Sequence, residues 1–336
     1  MIGVDRPDLP WWWAHVDHDA LGCRLDYRNI PLDGGRPKGL FTRGFALLAV
    51  RATRLLFQAR REGYAYVFTF ENDWMTFLIA GLQTLLMFRR PCHVILQFIM
   101  RERTSSLQSR LKYAFLRWCY RSVHLCVCSA RPEAAYYAAV FGWPPEKVAF
   151  VPFHTDPAFV HRTAADEALV AVAAGRTFRD YPTLLEAARV GLDVPVTIVA
   201  GRGAIDPASA PPNVTLRYDI PLSELIGLMA RSAMVVLPLT ERQISTGQSV
   251  LLEAMAMGKP VIATRVNGTV DYIDHLQTGV LVPAGDAAAL REAINRLAGD
   301  SELRHRIGAA GRDHVLHHNL PTHYAQGVAH ALKDRR

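Results

Sequence analysis

Residues 245–264 read Ser-Thr-Gly-Gln-Ser-Val-Leu-Leu-Glu-Ala-Met-Ala-Met-Gly-Lys-Pro-Val-Ile-Ala-Thr. Small and polar residues open the stretch and a helical pattern follows; Gly258 and Pro260 stop it before the apolar run Val261 to Ala263. Loop, short helix, stop and buried strand, in that order, predict one unit of a parallel sheet covered by helices. A helix entered from such a loop offers unpaired backbone amides to a phosphate. Glu253 stands one turn inside it, within reach of whatever the phosphate carries.

The alternation of strand and helix continues on both sides of this stretch. Upstream, Leu169–Ala174, Val196–Ala200 and Met234–Leu237 read as strands and Thr183–Val190 and Ser223–Arg231 as helices; downstream, Leu290–Leu297 reads as a helix. An earlier series comprises strands at Arg24–Ile30, Ala65–Phe70, His93–Phe98, Val123–Cys128 and Val148–Pro152. Its helices fall at Leu40–Arg61, Asp73–Met87, Ser109–Arg121 and Pro132–Phe141. Only Ile2 to Val4 can supply an opening strand, and no glycine-rich turn follows it. A polar, acidic patch at residues 155–168 separates the two series. A chain of 336 residues, half of them hydrophobic, is large enough for two such domains.

Five cysteines, Cys23, Cys92, Cys119, Cys126 and Cys128, form no CxxC pair, as expected of reduced thiols in a cytosolic protein. Met1 is followed by acidic residues and prolines, so no secretory leader is expected, and the longest apolar stretch, Trp74 to Phe88, is short for a membrane span. The net charge of +7 is uneven: residues 1–160 hold 20 Lys/Arg against 13 Asp/Glu, and residues 161–336 hold 18 of each. All six tryptophans also precede residue 160. Two halves with different surfaces imply two different partners.

Gly175-Arg176-Thr177-Phe178-Arg179 follows a predicted strand directly, at the carboxyl end where open parallel sheets bind ligands. Two arginines three apart can face one anion, and their planar forks suit a diphosphate. A surface turn with solvated arginines is the alternative. Gly201-Arg202-Gly203 repeats the arrangement after the next strand.

In these segments the second half resembles the donor domain of the family 4 glycosyltransferases, the retaining GT-B enzymes. The resemblance is carried by Ala174-Gly175-Arg176, Arg179-Asp180-Tyr181-Pro182-Thr183-Leu184-Leu185-Glu186-Ala187 and Val199-Ala200-Gly201-Arg202-Gly203. Residues 252–263, Asn267-Gly268-Thr269-Val270-Asp271-Tyr272-Ile273 and residues 277–286 complete it. It implies a GT-B architecture, two Rossmann-like doubly wound α/β domains facing a central cleft. The first, 1–157, would bind the acceptor and the second, 165–316, the nucleotide-sugar donor; a helix within 317–336 would pack back on the first. Under this resemblance Arg176 and Arg179 grip the diphosphate and Glu253 binds the ribose hydroxyls. Gly175, Gly201 and the loop Thr246-Gly247-Gln248-Ser249 line the donor, the loop giving amides to the phosphate and sugar. At Ser245 the family usually has a glutamate on the transferred sugar, so the donor sugar differs or Glu241 or a water takes over that contact. Transfer then needs no cofactor and no metal.

In such enzymes a histidine often ends the strand that faces the acceptor; the matching position here is Gln97. Proton removal then falls to the leaving phosphate or to Glu71, Asp73 or Glu102, with Arg101 also on the acceptor side and a helix cap as the alternative role of Asp73. Asp17-His18-Asp19 resembles a metal-binding pair and His314, His317 and His318 share a helical face, but a solvated surface explains both. At about 100° per residue, Arg43, Arg51, Arg54 and Arg61 fall within one quarter of a helix, and Arg110, Arg117 and Arg121 form a similar stripe. With Trp11, Trp12 and Trp13, these stripes fit an anionic membrane surface or a lipid-linked acceptor, besides the plain reading as solvated faces. No nucleic-acid motif accompanies the charge. The leading expectation is therefore a cytoplasmic glycosyltransferase, peripheral on the inner face of the membrane, acting on a lipid-linked or other saccharide acceptor. A nucleotide-sugar-binding partner protein without activity and a GT-B type epimerase or hydrolase are the alternatives.

Overall fold

The computed structural model describes residues 2–4, 28–30, 42–71, 73–162 and 167–333. The chain forms two units, Met1–Val151 with Tyr324–Arg336, and Pro152–His323. Trp11 to Trp13, Asp17-His18-Asp19 and Cys23 lie outside the described residues.

In the first unit β1 (Ile2–Val4) pairs in parallel with β2 (Arg28–Ile30), so the only candidate for an opening strand is one. A second parallel sheet runs in the order β3 (Tyr66–Phe70), β4 (Cys92–Leu96), β5 (Val123–Cys128), β6 (Val148–Phe150). The connecting helices are α1 (Arg43–Arg61), α2 (Trp74–Leu85), α3 (Leu107–Cys119) and α4 (Arg131–Phe141). The first three start where a side chain caps a free amide: Thr42, Asp73 and Ser106 accept from the backbone N–H three residues on.

Alternate residues of these strands bury on opposite faces. Phe68, Phe70, Val94, Leu96, Leu125 and Val127 share one core with Tyr324, Ala325, Val328, Ala329 and Leu332 of α10 (Pro321–Lys333). On the other face Val67 packs with Leu48 and Ala52 of α1 and Met75, Leu78 and Ile79 of α2. Each large side chain so covered contributes about 2 kcal/mol.

The second unit contains β7 (Ala168–Ala174), α5 (Tyr181–Val190), β8 (Val196–Ala200), β9 (Val214–Tyr218), α6 (Leu222–Arg231), β10 (Ser232–Leu237) and α7 (Gln248–Ala256). After these come β11 (Val261–Thr264), β12 (Val280–Val282), α8 (Ala287–Gly299) and α9 (Ser301–His318). All six strands are parallel, in the order β12-β11-β10-β7-β8-β9. The winding reverses between β7 and β10, the doubly wound dinucleotide-fold order, and both faces carry a core.

Three elements of this unit have no counterpart in the sequence reading: β9, β12 and α9. The β9 edge strand mixes exposed and half-buried positions, so it lacks an apolar run. Helix α9 buries Leu303, Ile307 and Val315, but glycines break up its pattern: a Cβ on Gly308 would lie 2.1 Å from the Gly258 carbonyl oxygen.

Candidate active site

The switch between β7 and β10 brings two loops together at the carboxyl ends of the strands. The first leaves β7 through Gly175, whose φ of 131° suits glycine. The Arg179 side chain folds back over that glycine: a Cβ there would lie 2.2 Å from its guanidinium. Arg179 donates from Nε to the Ala174 carbonyl at 2.9 Å and from Nη1 to the Thr177 carbonyl at 2.8 Å. Burial lowers its pKa. Tyr181 fixes the same turn, its hydroxyl donating to the Gly175 carbonyl at 2.6 Å. Asp180 caps α5 through the Thr183 amide.

Arg176 takes a different partner. It is exposed, and its Nη2 donates to Asp219 Oδ1 at 2.8 Å. The other Asp219 oxygen faces Arg202 Nε at 3.6 Å and the Arg202 amide at 3.4 Å. One carboxylate just past β9 thus collects the arginines that follow β7 and β8. The structure therefore holds Arg176 and Arg179 by separate anchors, one ionic and one on backbone carbonyls.

The second loop follows β10. The Asp180 amide donates to Pro238 O at 3.0 Å and the Thr240 amide to Phe178 O at 3.0 Å, stitching the two loops together. Ser245, Thr246 and Gln248 are buried and Ser249 is exposed. Thr246 is pressed by the turn after β11: a Cβ on Gly268 would lie 2.3 Å from the Thr246 carbonyl oxygen. Asn267 Nδ2 donates to the Gln243 carbonyl at 3.0 Å, and Thr269 Oγ1 to the Thr264 carbonyl at 2.6 Å.

Gly247 precedes α7 at φ 92° with no side-chain cap, and no acidic residue lies in the first turn. Helices α4 and α6 also lack a side-chain cap, but each places a glutamate, Glu133 or Glu224, in its first turn. Helix α7 thus presents its first amides and the positive end of its dipole without compensation. Gln248 Nε2, buried at this terminus, has no hydrogen-bond partner among the described residues. Further along, burial raises the Glu253 pKa to about 7, and the charge of Asp156 adds to the effect. Asp156 opens a short 3-10 turn, Pro157–His161. Neither Asp219 nor Asp156 was singled out by the sequence reading, which had no strand ending at Tyr218 to place the first.

In the first unit, Glu71 and Gln97 follow β3 and β4 directly, at φ 54° and 52°. A non-glycine residue in that region costs roughly 1 kcal/mol, so side chains are retained there against a backbone preference for glycine. Asp73 Oδ1 accepts from the Thr76 amide at 2.7 Å, the cap of α2, and burial raises its pKa. Arg101 is exposed and its carbonyl accepts from the Tyr113 hydroxyl. Among the described residues no group of three or more His, Cys, Asp and Glu is placed to hold a metal; the His314 and His318 rings lie 4.8 Å apart.

The second unit is thus a doubly wound α/β domain whose switch point holds an uncapped helix start, a geometry suited to an anion. Residues 179–300 match the family described as "Glycosyl transferases group 1". Among curated proteins, the N-acetyl-alpha-D-glucosaminyl L-malate synthase of Bacillus anthracis is 41% identical over 88 residues, 26% of this chain and 22% of that protein. The capsular polysaccharide biosynthesis glycosyltransferase CapM of Staphylococcus aureus is 42% identical over 67 residues, 20% of this chain and 18% of CapM. The matches thus span about a fifth of these relatives' length. Among solved structures, Anabaena HepE in complex with UDP superposes with a TM-score of 0.71 at 16% identity, covering 92% of this chain and 86% of that one. Sucrose-phosphate synthase from Thermosynechococcus elongatus gives 0.66 at 20% identity, covering 100% and 88%. The fold is GT-B, built from two Rossmann-like units.

Proposed function

We propose that the protein is a retaining glycosyltransferase that moves a sugar from a nucleotide-diphosphate sugar to a lipid-linked or other saccharide acceptor. The observation that carries this reading is the uncompensated start of α7, within residues 179–300 that match the group 1 glycosyl transferases, after a loop tied by backbone hydrogen bonds to the Gly175–Arg179 turn. HepE, which shares the fold, has been crystallised with UDP and with UDP-glucose.

Departure of the diphosphate builds negative charge on its oxygens while the sugar becomes oxocarbenium-like. Arg176, Arg179 and the amides of residues 246–249 stabilise that charge, each such donor contributing about 3 kcal/mol. Glu253 holds the ribose hydroxyls, and with a pKa near 7 it can donate or accept there. Ser245, where the family usually has a carboxylate, sets the choice of sugar. Gln97 cannot act as a base, so the acceptor proton passes to the leaving phosphate, with Glu71 and Arg101 orienting the acceptor. No metal or cofactor is needed for this sequence of steps. The arginines of α1 and α3 favour an acceptor presented at an anionic membrane surface on the cytoplasmic side. Buried free thiols at Cys119, Cys126 and Cys128 fit that compartment.

Ser245 and Gln97 together favour one second reading, a nucleotide-sugar-binding partner without turnover. Incubation with a panel of nucleotide sugars and saccharide acceptors separates them. Transfer to an acceptor supports the first reading, saturable binding without product supports the second, and release of free or isomerised sugar removes both.

A further inference from the structure

The first unit carries a surface that the donor chemistry leaves unused. On α3, Leu107, Leu111, Phe115 and Trp118 are 69%, 63%, 51% and 45% exposed. Their spacing places them in one row along the helix. Helix α3 buries only Tyr113, Leu116 and Cys119, so the row belongs to the outward side. Arg110, Arg117 and Arg121 are exposed alongside it.

The row continues across neighbouring helices. Phe115 meets Phe77 of α2 at 6.0 Å between ring centroids, Phe77 meets Trp74 at 6.0 Å, and Trp74 meets Phe45 of α1 at 5.4 Å. On α1, Arg43, Leu47, Val50, Arg54, Phe57 and Arg61 are all exposed, at intervals of three and four, so cations and apolar side chains alternate along one face. Near the end of that helix Arg60 lies over the Phe88 ring at 4.4 Å and Phe88 meets Phe57 at 5.4 Å. No acidic residue occurs in 42–61 or in 103–121.

Exposed apolar ridges flanked mainly by cations fit a fluid, negatively charged apolar layer better than a shaped protein pocket, which would need acidic and polar partners on its rim. We propose that this face of the first unit docks by insertion into an anionic bilayer. Leu107, Leu111, Phe115 and Trp118 enter the headgroup and acyl boundary; Arg110, Arg117 and Arg121 of α3 and Arg43, Arg54 and Arg61 of α1 bind the lipid phosphates. The inference deepens the membrane side of the proposed function and is read out without donor or acceptor. None of the described helices is long and apolar enough to cross a membrane.

The test is co-sedimentation of the full chain with phosphatidylcholine vesicles, with and without phosphatidylglycerol, together with tryptophan quenching by brominated lipid. The chain is expected to pellet with the anionic vesicles and to be quenched there, with most of the quenching lost in Trp118→Phe. Leu107→Glu with Leu111→Glu, both highly exposed, is expected to lower partition about tenfold at an unchanged melting temperature. Arg54→Glu with Arg61→Glu should reduce binding similarly, in anionic vesicles only. Calorimetric nucleotide-sugar affinity is expected to be unchanged in both double variants, so a failed donor site is told apart from a failed docking face. Absence of vesicle binding overturns the proposal, and so does binding without quenching. Concentration-dependent self-association that the Leu107/Leu111 variant abolishes while vesicle binding persists assigns the face to a second copy and also overturns it.

Discussion

Arg176 donates to Asp219 Oδ1 at 2.8 Å, and Asp219 accepts from a left-handed backbone at φ 50°. The partners are 68% and 37% exposed at the side chain, so the pair adds less than about 1 kcal/mol to stability. Under the proposed donor site its importance is competition: the Asp219 carboxylate draws the same guanidinium that a diphosphate would use. Asp219→Asn should leave the melting temperature nearly unchanged and tighten nucleoside-diphosphate binding by about threefold, since the competing charge is gone. Titration calorimetry checks the direction; weaker binding would mean that Asp219 positions Arg176 instead of competing for it.

Arg176 and Arg179 should separate when each is replaced by alanine. Both variants lose roughly 2 kcal/mol of donor affinity, about thirtyfold. Only Arg179→Ala should also melt earlier, because Arg179 ties the Ala174 and Thr177 carbonyls at 2.9 and 2.8 Å. Parallel calorimetry and thermal melts check both halves, and undiminished donor affinity in either variant removes that residue from the phosphate site.

Glu253 makes stability depend on pH in a defined sense. Its folded pKa, about 7, lies above the ordinary carboxylate value of 4.5, so the native state binds the proton more tightly than the unfolded chain. The associated stability is complete below about pH 4.5 and is lost as pH rises through about 7. Glu253→Gln should therefore melt higher than the parent at pH 8, by an amount on the order of 2 kcal/mol, and nearly match it at pH 5. A difference of the same size at both pH values would remove the titration account.

Gly268 stands within a bond length or two of the Thr246 backbone once a Cβ is imagined on it, 2.3 Å from the carbonyl oxygen. Gly268→Ala must push the 245–248 loop out of place. We expect a loss of about 1–3 kcal/mol in stability from overpacking and a larger proportional loss in kcat than in donor affinity. Steady-state kinetics beside a denaturant melt measures both.

Lys259 reads in the sequence as part of the turn between α7 and β11, but the structure uses it as a buried tie. Its Nζ meets Glu167 Oε2 at 3.1 Å, and Arg304 approaches the other oxygen at 3.8 Å. Lys259→Ala should cost about 3 kcal/mol, with little change in donor affinity at temperatures where the variant is folded. A chemical melt is the measurement.

What could be read in advance follows from where each signal resides. Strands such as β10, buried at every position, announce themselves as apolar runs, and Val123–Cys128 and Val196–Ala200 fall at the residues expected. Edge strand β9 and helix α9 do not, because most positions of β9 are half-exposed and the buried row of α9 is broken by Gly308 and Gly311. The same division holds in the candidate site. Gly175 to Arg179 and Ser245 to Glu253 are contiguous segments whose residue types state their chemistry. Asp219 and Asp156 act on residues 43 and 97 positions away along the chain, at Arg176 and Glu253. Nothing local marks them; only the strand order and the packing of the 3-10 turn give them their partners.

The core shared by the first sheet and Tyr324 to Leu332 has a temporal consequence. The ribosome delivers Phe68, Phe70, Leu96 and Val127 long before the helix that covers them. Residues 152–323 are contiguous and can complete their own interior as they emerge. The part of the polypeptide made first is therefore finished last, and until its final helix arrives it presents an open apolar sheet to chaperones. A nascent chain stalled before residue 324 should show a protease-resistant second unit and a protease-sensitive first one.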